Sequence, residues 1–246
     1  MKAIRKISWQ KNKQNNWKPF LKLATKDGFD QILLKKGRKL DLEIIDERRC
    51  TGYSMGIGER VPCPEFREIS SGSQCSECRG KDVYSDYVSG NSTPDVDADF
   101  SVYLAQCGSE IKVGVTRSKR LENRWVEQGA DHAAEIASNI SAEEALKQEQ
   151  TYSEKGLAER IRKEKKTEIG EELISDKLED LGINAEVQVV HGDKKFKCES
   201  FNREGRFPRP IKHVKGQIVS DGRNCLAMSS GKIIVSSEQK GLKEFG

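Results

Sequence analysis

The sequence predicts an α+β protein assembled from several small modules, and three observations carry that prediction. Short apolar runs bounded by glycine and Asp-Gly turns occupy both ends of the chain. A stretch with no helical period, holding four clustered cysteines, follows the first set of runs. The middle is rich in Ala, Glu, Lys and Leu and reads as helical behind a single strand–turn–strand pattern.

Residues 1–48 read as β-rich. FLKLAT (20–25) and DQILLKK (30–36) flank a Lys26-Asp27-Gly28 turn, and KLDLEII (39–45) alternates as a further strand. Residues 49–80 form the cysteine region. Residues 81–98 are acidic, polar and turn-rich, the pattern of a linker. Residues 99–182 form an α/β core. Its strands are DFSVYLAQ (99–106) and IKVGVT (111–116), joined by a tight turn at Cys107-Gly108-Ser109-Glu110. Helical sequence then runs from Ser118 to about Leu181. Gly129 is placed to end one helix, with Asp131 starting the next, and Ser141 with Glu144 forms a capping box. Residues 183–246 read as a basic, barrel-like β module with strands at 185–191, 195–201, 216–221, 225–230 and 232–237.

Hydrophobic residues make up 35% of the 246 and charged residues 33%, a balance that suits thinly covered modules rather than one large core. No apolar run approaches the roughly 20 residues of a membrane span. The N-terminus lacks the apolar segment of a secretory signal, so the expected location is cytoplasmic, without membrane contact. The net charge of +4 hides a pattern: the balance is +7 over residues 1–48, −4 over 49–99, −4 over 100–184 and +5 over 185–246. Basic ends attract phosphate backbones, although lysine-rich ends also serve solubility alone.

Seven cysteines in a chain with no export signal argue against a disulfide framework. Cys50, Cys63, Cys75 and Cys78 have the makings of a zinc site in a reduced compartment. Cys75 and Cys78 are a CxxC knuckle followed by Gly80, and Cys50 and Cys63 can complete a tetrahedron of thiolates from two loops. An iron–sulfur site and unligated cysteines are the alternatives. A closed four-cysteine site has no open position for substrate, so its expected role is structural. Cys107, Cys198 and Cys225 stand apart and read as core or incidental residues.

Val102-Tyr103-Leu104, then Lys112-Val113-Gly114-Val115-Thr116, then Arg124-Trp125 resembles the GIY-YIG endonuclease superfamily, in the branch where a KIG-type tripeptide replaces YIG. The likeness covers about residues 99–155. With its upstream cysteine region, the whole chain resembles an uncharacterised archaeal and bacterial family, DUF2797. The nuclease resemblance implies a hairpin presenting Tyr103 to a phosphate, Arg124 stabilising phosphate charge, and Glu149 holding one Mg²⁺ or Mn²⁺. Lys112 stands at the second tyrosine position and Gln128 at a common histidine position. Both are departures from a nuclease pattern. Arg117 lies near the same motif. Trp125 reads as the residue that docks its helix.

Phe201–His213 carries Arg203, Arg206, Phe207, Arg209 and Lys212 in a Pro- and Gly-containing loop, a set suited to gripping phosphates and stacking on unpaired bases. The alternative is a solvated loop anchored by its phenylalanines. Arg160, Arg162, Lys163, Lys165 and Lys166 alternate with glutamates as on a solvated helix face. The functional expectation is a zinc-containing protein that binds nucleic acid, RNA favoured over DNA, without strong catalysis. A divalent-metal endonuclease using Tyr103, Arg124 and Glu149 is the first alternative, and a non-catalytic protein-interaction scaffold the second.

Overall fold

The computed structural model describes residues 1–56, 58–85, 98–190, 196, 198–207 and 209–235. In chain order the first strands are β1 (Lys2–Lys11), β2 (Trp17–Ala24), β3 (Phe29–Leu33), β4 (Glu43–Arg48), β5 (Tyr53–Ser54) and β6 (Arg60–Val61), followed by helix α1 (Ser76–Lys81). Then come β7 (Phe100–Cys107), β8 (Glu110–Arg117), α2 (Leu121–Gln128), β9 (His132–Ile140), α3 (Ala142–Glu154), α4 (Ile174–Asp180) and β10 (Val187–Val189). The last are β11 (Ser200–Asn202), β12 (Gly205–Arg206), β13 (His213–Lys215), β14 (Ile218–Ser220), β15 (Asn224–Ala227) and β16 (Lys232–Val235). Chain contacts divide these into two units, Met1–Ser92 with Glu199–Gly246, and Thr93–Cys198.

The first unit is discontinuous. Its main sheet has the order β12-β4-β16-β1-β2-β3, antiparallel throughout. The expected hairpin of β2 and β3 is present, but β16 lies between β1 and β4, with Ala3 and Ile45 both paired to Ile233. The ends of the chain are therefore not two modules. An amphipathic meander is marginal without a further partner, and β16, whose Ile233 is fully buried, supplies one. Lys232, 4% exposed, reinforces this junction by donating to Asp46, at 3.0 Å, and to Glu204. A second sheet, β11-β15-β14-β13, is open rather than a barrel. Cys198 and Cys225 are both disulfide-bonded, where isolated core or incidental cysteines were expected. Parallel pairing of β11 with β15 sets Phe201 beside Cys225, which brings the start of β11 to this strand.

The second unit holds the antiparallel sheet β10-β9-β7-β8. All eight residues of β7 are buried, because both faces are covered. Val102 and Leu104 pack on one face with Ala145, Ile174 and Leu178 of the helices α3 and α4. Tyr103 and Ala105 pack on the other with Trp125 of α2. The expected hairpin is β7–β8, and Gly129 closes α2 in the left-handed conformation at φ 74°. The Ser141 hydroxyl caps α3 by accepting the Glu144 N–H at 3.2 Å.

Three expectations in this region differ. Asp131 does not start a helix: its carboxylate accepts the Gly108 N–H at 2.8 Å, and the alanine-rich segment after it becomes β9. Alanine favours helix locally, but Ala133 and Ala134 are fully buried against β7, and close sheet packing overrides propensity. Val187–Val189 pairs with β9 and belongs here rather than to a C-terminal module. The basic stretch after Gly156, at φ 92°, has only one short 3₁₀ turn, Glu164–Thr167, in place of a helix. The expected linker, 81–98, lies mostly outside the described residues. No helix among the described residues is long and apolar enough to cross a membrane.

Shortening Ile233 tests whether both ends of the chain form one unit. Ile233→Ala should cost about 2–5 kcal/mol, read by urea denaturation. Amide exchange should rise in β1 and β4 together, whereas exchange confined to the C-terminal strands would contradict the shared sheet.

Candidate functional site

The cysteines come together. Cys50, Cys63, Cys75 and Cys78 are all buried, and their sulfur atoms lie within 4.8 Å of one another. Cys75 precedes α1 and Cys78 lies on it, so one helical turn aims both inward. Cys50 arrives from the end of β4, and the Cys75 N–H donates to its sulfur at 3.2 Å. The loop's path depends on Gly52 at φ 78°, where a Cβ would fall 2.0 Å from the Val61 carbonyl oxygen. Arg60 pins the same loop through the Gly52 carbonyl at 3.2 Å and the Ser54 hydroxyl at 3.2 Å. Burial pushes the Cys50 and Cys78 thiols up, whereas hydrogen bonding from the Cys78 N–H brings Cys75 down against its own burial. Four soft donors at this separation fit a metal ion such as zinc, whose Zn–S distance of about 2.3 Å places sulfurs a little under 4 Å apart.

A charged cluster lies in the other unit. Tyr103 pairs directly with Gly114 across β7–β8, and Lys112 pairs with Ala105. Strand alternation therefore puts Tyr103, Gly114 and Lys112 on the face that α2 covers. Glycine is required at 114: a Cβ there would lie 2.6 Å from the Tyr103 ring and hydroxyl and 3.0 Å from the Lys112 Nζ. Tyr103 is fully buried; its hydroxyl accepts from the Gln128 amide at 3.5 Å, with the Arg124 guanidinium near enough to favour the charged phenol. Glu127, beside Arg124 in sequence, faces Arg120 at 3.3 Å instead.

The edge of β8 completes the cluster. Outward N–H groups of an edge strand need acceptors. The Val113 N–H donates to the Ala158 carbonyl at 2.9 Å, and the Val115 N–H is near enough to the Glu149 carboxyl to favour its charged form. Lys112, 5% exposed, donates to the Glu159 carbonyl at 2.7 Å. Lys166 donates to the Gln128 carbonyl at 3.0 Å and to its side-chain oxygen at 3.2 Å, which turns the amide nitrogen toward Tyr103.

The groups act on one another. Burial raises the Tyr103 phenol, with Arg124 opposing. Burial, then Arg124, lowers the Lys112 ammonium to about 8. Burial raises the Glu149 carboxyl, with Lys112 opposing most and Glu159 adding to the rise. Tyr103, Lys112, Arg124 and Glu149 are thus within electrostatic reach of each other. Glu159 and Lys166, missed from the sequence, join them. Both sit among alternating charges, and no spacing marks them out.

The other expected residues lie elsewhere. Arg117 ends β8 opposite Phe100, and alternation from Gly114 turns it to the opposite face. Arg203, Arg206, Arg209 and Lys212 are exposed in the first unit, and Arg206 faces Asp41 at 3.5 Å. Phe207 is 2% exposed, so it anchors its loop and offers no surface for stacking. Trp125 is core, as expected.

The model of the family described as "Protein of unknown function (DUF2797)" matches residues 37–215, well over half of the chain. The chain belongs to the DUF2797 family. The matched stretch contains both the four cysteines and the Tyr103 cluster. Residues 1–36, with β1 to β3, precede it. Neither curated proteins nor solved structures give a match to this DUF2797 chain.

The lowered Lys112 makes a pH prediction. Its charged form opposes folding at neutral pH. From about 8 to 10.5 the folded chain has lost a proton that the unfolded chain keeps, so stability rises with pH through that window. Lys112→Met removes this dependence. The stability of the wild type minus that of Lys112→Met should climb by on the order of 3 kcal/mol between pH 8 and 10.5, by urea denaturation at constant salt. A difference flat with pH would contradict the assignment.

Proposed function

We propose that this DUF2797 protein is a zinc-containing nucleic-acid-binding protein whose second unit grips a phosphate at the Tyr103 cluster, with RNA or structured nucleic acid favoured over DNA. One observation carries the reading: Arg124, Lys112 and Lys166 gather around Tyr103, with Glu149 as the carboxylate in closest play. Cations crowded at a half-buried site repel one another, and a phosphate relieves that repulsion. The resemblance to the GIY-YIG superfamily supports the same partner. The full burial of Tyr103, and the engagement of Lys112 with a carbonyl oxygen, argue for binding over water activation. The exposed Arg203, Arg209 and Lys212 offer further phosphate contacts in the first unit.

An endonuclease is the second reading, favoured by Glu149 standing in the same cluster as Tyr103 and Arg124. Glu149 would offer an oxygen to Mg²⁺ or Mn²⁺, and such an ion would neutralise charge on a bound phosphate. Arg124 would stabilise developing charge, and Tyr103 would hold the guanidinium in place.

Polynucleotide affinity should fall with salt, and Arg124→Ala should weaken binding and lower the log–log salt slope by about 0.7–0.9. No salt-dependent binding to RNA or DNA would end the proposal and leave the scaffold. Cleavage in Mg²⁺ or Mn²⁺ that Glu149→Ala and Tyr103→Phe both abolish would replace it with the endonuclease.

The zinc is structural in this reading, because four thiolates close its shell and tie down a segment with little core of its own. Elemental analysis should give one zinc per chain, and chelation should open residues 50–82 to trypsin at Arg67 and Arg79. A segment that stays protected after complete metal removal would show that zinc does not hold it.

A further inference from the structure

The Tyr103 cluster is shut. Tyr103 and Lys112 are both buried, so a phosphate can reach them only if part of the chain moves. Residues 158–162 are the part that covers Lys112. They contain no helix and no strand, and they meet β8 at an isolated parallel bridge between Lys112 and Ala158. There the Ala158 carbonyl accepts the Val113 N–H at 2.9 Å, and the Glu159 carbonyl accepts from the Lys112 ammonium at 2.7 Å. Ile161 is the one buried side chain of this stretch.

The chain on either side is fixed more firmly. Leu157 packs in the core with Val102 and Leu104. Lys166 holds Gln128 of α2, and Gly170 lies so close to the β7–β8 turn that a Cβ would fall 2.2 Å from the Gly108 carbonyl oxygen. A stretch with few buried contacts, between two anchored ends, opens more easily than the sheet it covers. Its closed position is also electrostatically unfavourable. Burial raises the Glu149 carboxyl, and the Glu159 carboxylate raises it further. A neutral carbonyl gives the Lys112 ammonium a bond charged on one side only, whereas a phosphate oxygen gives one charged on both.

We propose that residues 158–162 are a strap that shuts the Tyr103 cluster, and that a phosphate of bound nucleic acid lifts it by taking Lys112 from the Glu159 carbonyl. Binding then includes the work of opening, so the apparent affinity is lower than that of the open site. Leu157 and Lys166 stay in place, which confines the movement to the stretch between them. The inference rests on the nucleic-acid reading above and adds to it the regulation of that same site.

Solution NMR of the deuterated full chain reads the strap directly. The scalar coupling across the hydrogen bond from the Val113 N–H to the Ala158 carbonyl should be present in the free chain. It should vanish when a single-stranded RNA oligonucleotide saturates the protein. Ile161→Ala removes the strap's buried side chain and should tighten RNA binding about tenfold, by fluorescence anisotropy. In a Lys112→Met background the same substitution should gain nothing, because the strap then withholds no ammonium from a phosphate. Wild-type binding that Arg124→Ala weakens, with the coupling intact in the saturated complex, would overturn the strap and keep the proposed function. A folded Ile161→Ala that binds no more tightly than the wild type would overturn it also. Should Ile161→Ala fail to fold, the wild-type coupling decides by itself. No binding to RNA or DNA would overturn both.

Discussion

The Tyr103 ring lies across β8 only because residue 114 has no side chain. A Cβ at that position would occupy the space of the ring, and Lys112 would lose the path that brings its ammonium alongside. Much of the second unit's chemistry follows from this one close approach. With the phenol buried there, α2 presents Arg124 and Gln128 to its hydroxyl. Glu149, on α3, comes within electrostatic reach of the same region, beside the open edge of β8. The cluster is thus a consequence of one tight cross-strand pair and one open sheet edge.

The first unit depends on a different constraint. Strands contributed by opposite ends of the chain alternate in one sheet, and Lys232 supplies a buried cation where they meet. The cysteine region branches from β4, so metal binding would be coupled to that sheet. A metal ion held there would contribute shape, and in the proposed function the phosphate contacts fall to basic side chains. The two units divide the labour in the proposed function: one holds a buried, mutually perturbed cluster, and the other offers open basic surfaces.

The hairpin, the Ser141 cap and the Gly129 stop were legible because each depends on residues a few positions apart. The four cysteines were legible because their chemistry allows few uses. The strand β9 was not, since alanine's local preference is helical and only contact with β7 reverses it. The sequence left Phe207 open between a stacking surface and a loop anchor, because an aromatic between arginines looks the same whether it faces solvent or core; its burial decides for the anchor. Lys166 and Glu159 were hidden in a run of alternating charge, where burial and partners depend on a fold-back onto β8 and α2.

By itself, the sequence determined the α+β character, the cysteine ligand set and the identity of Tyr103, Lys112, Arg124 and Glu149 as residues worth bringing together. Those are matters of residue type and short spacing. Only the tertiary structure decided that β16 joins β1 and β4, that the cysteines converge, and that Tyr103 is wholly buried. These depend on strand order and register, which arise from contacts between residues far apart in the chain.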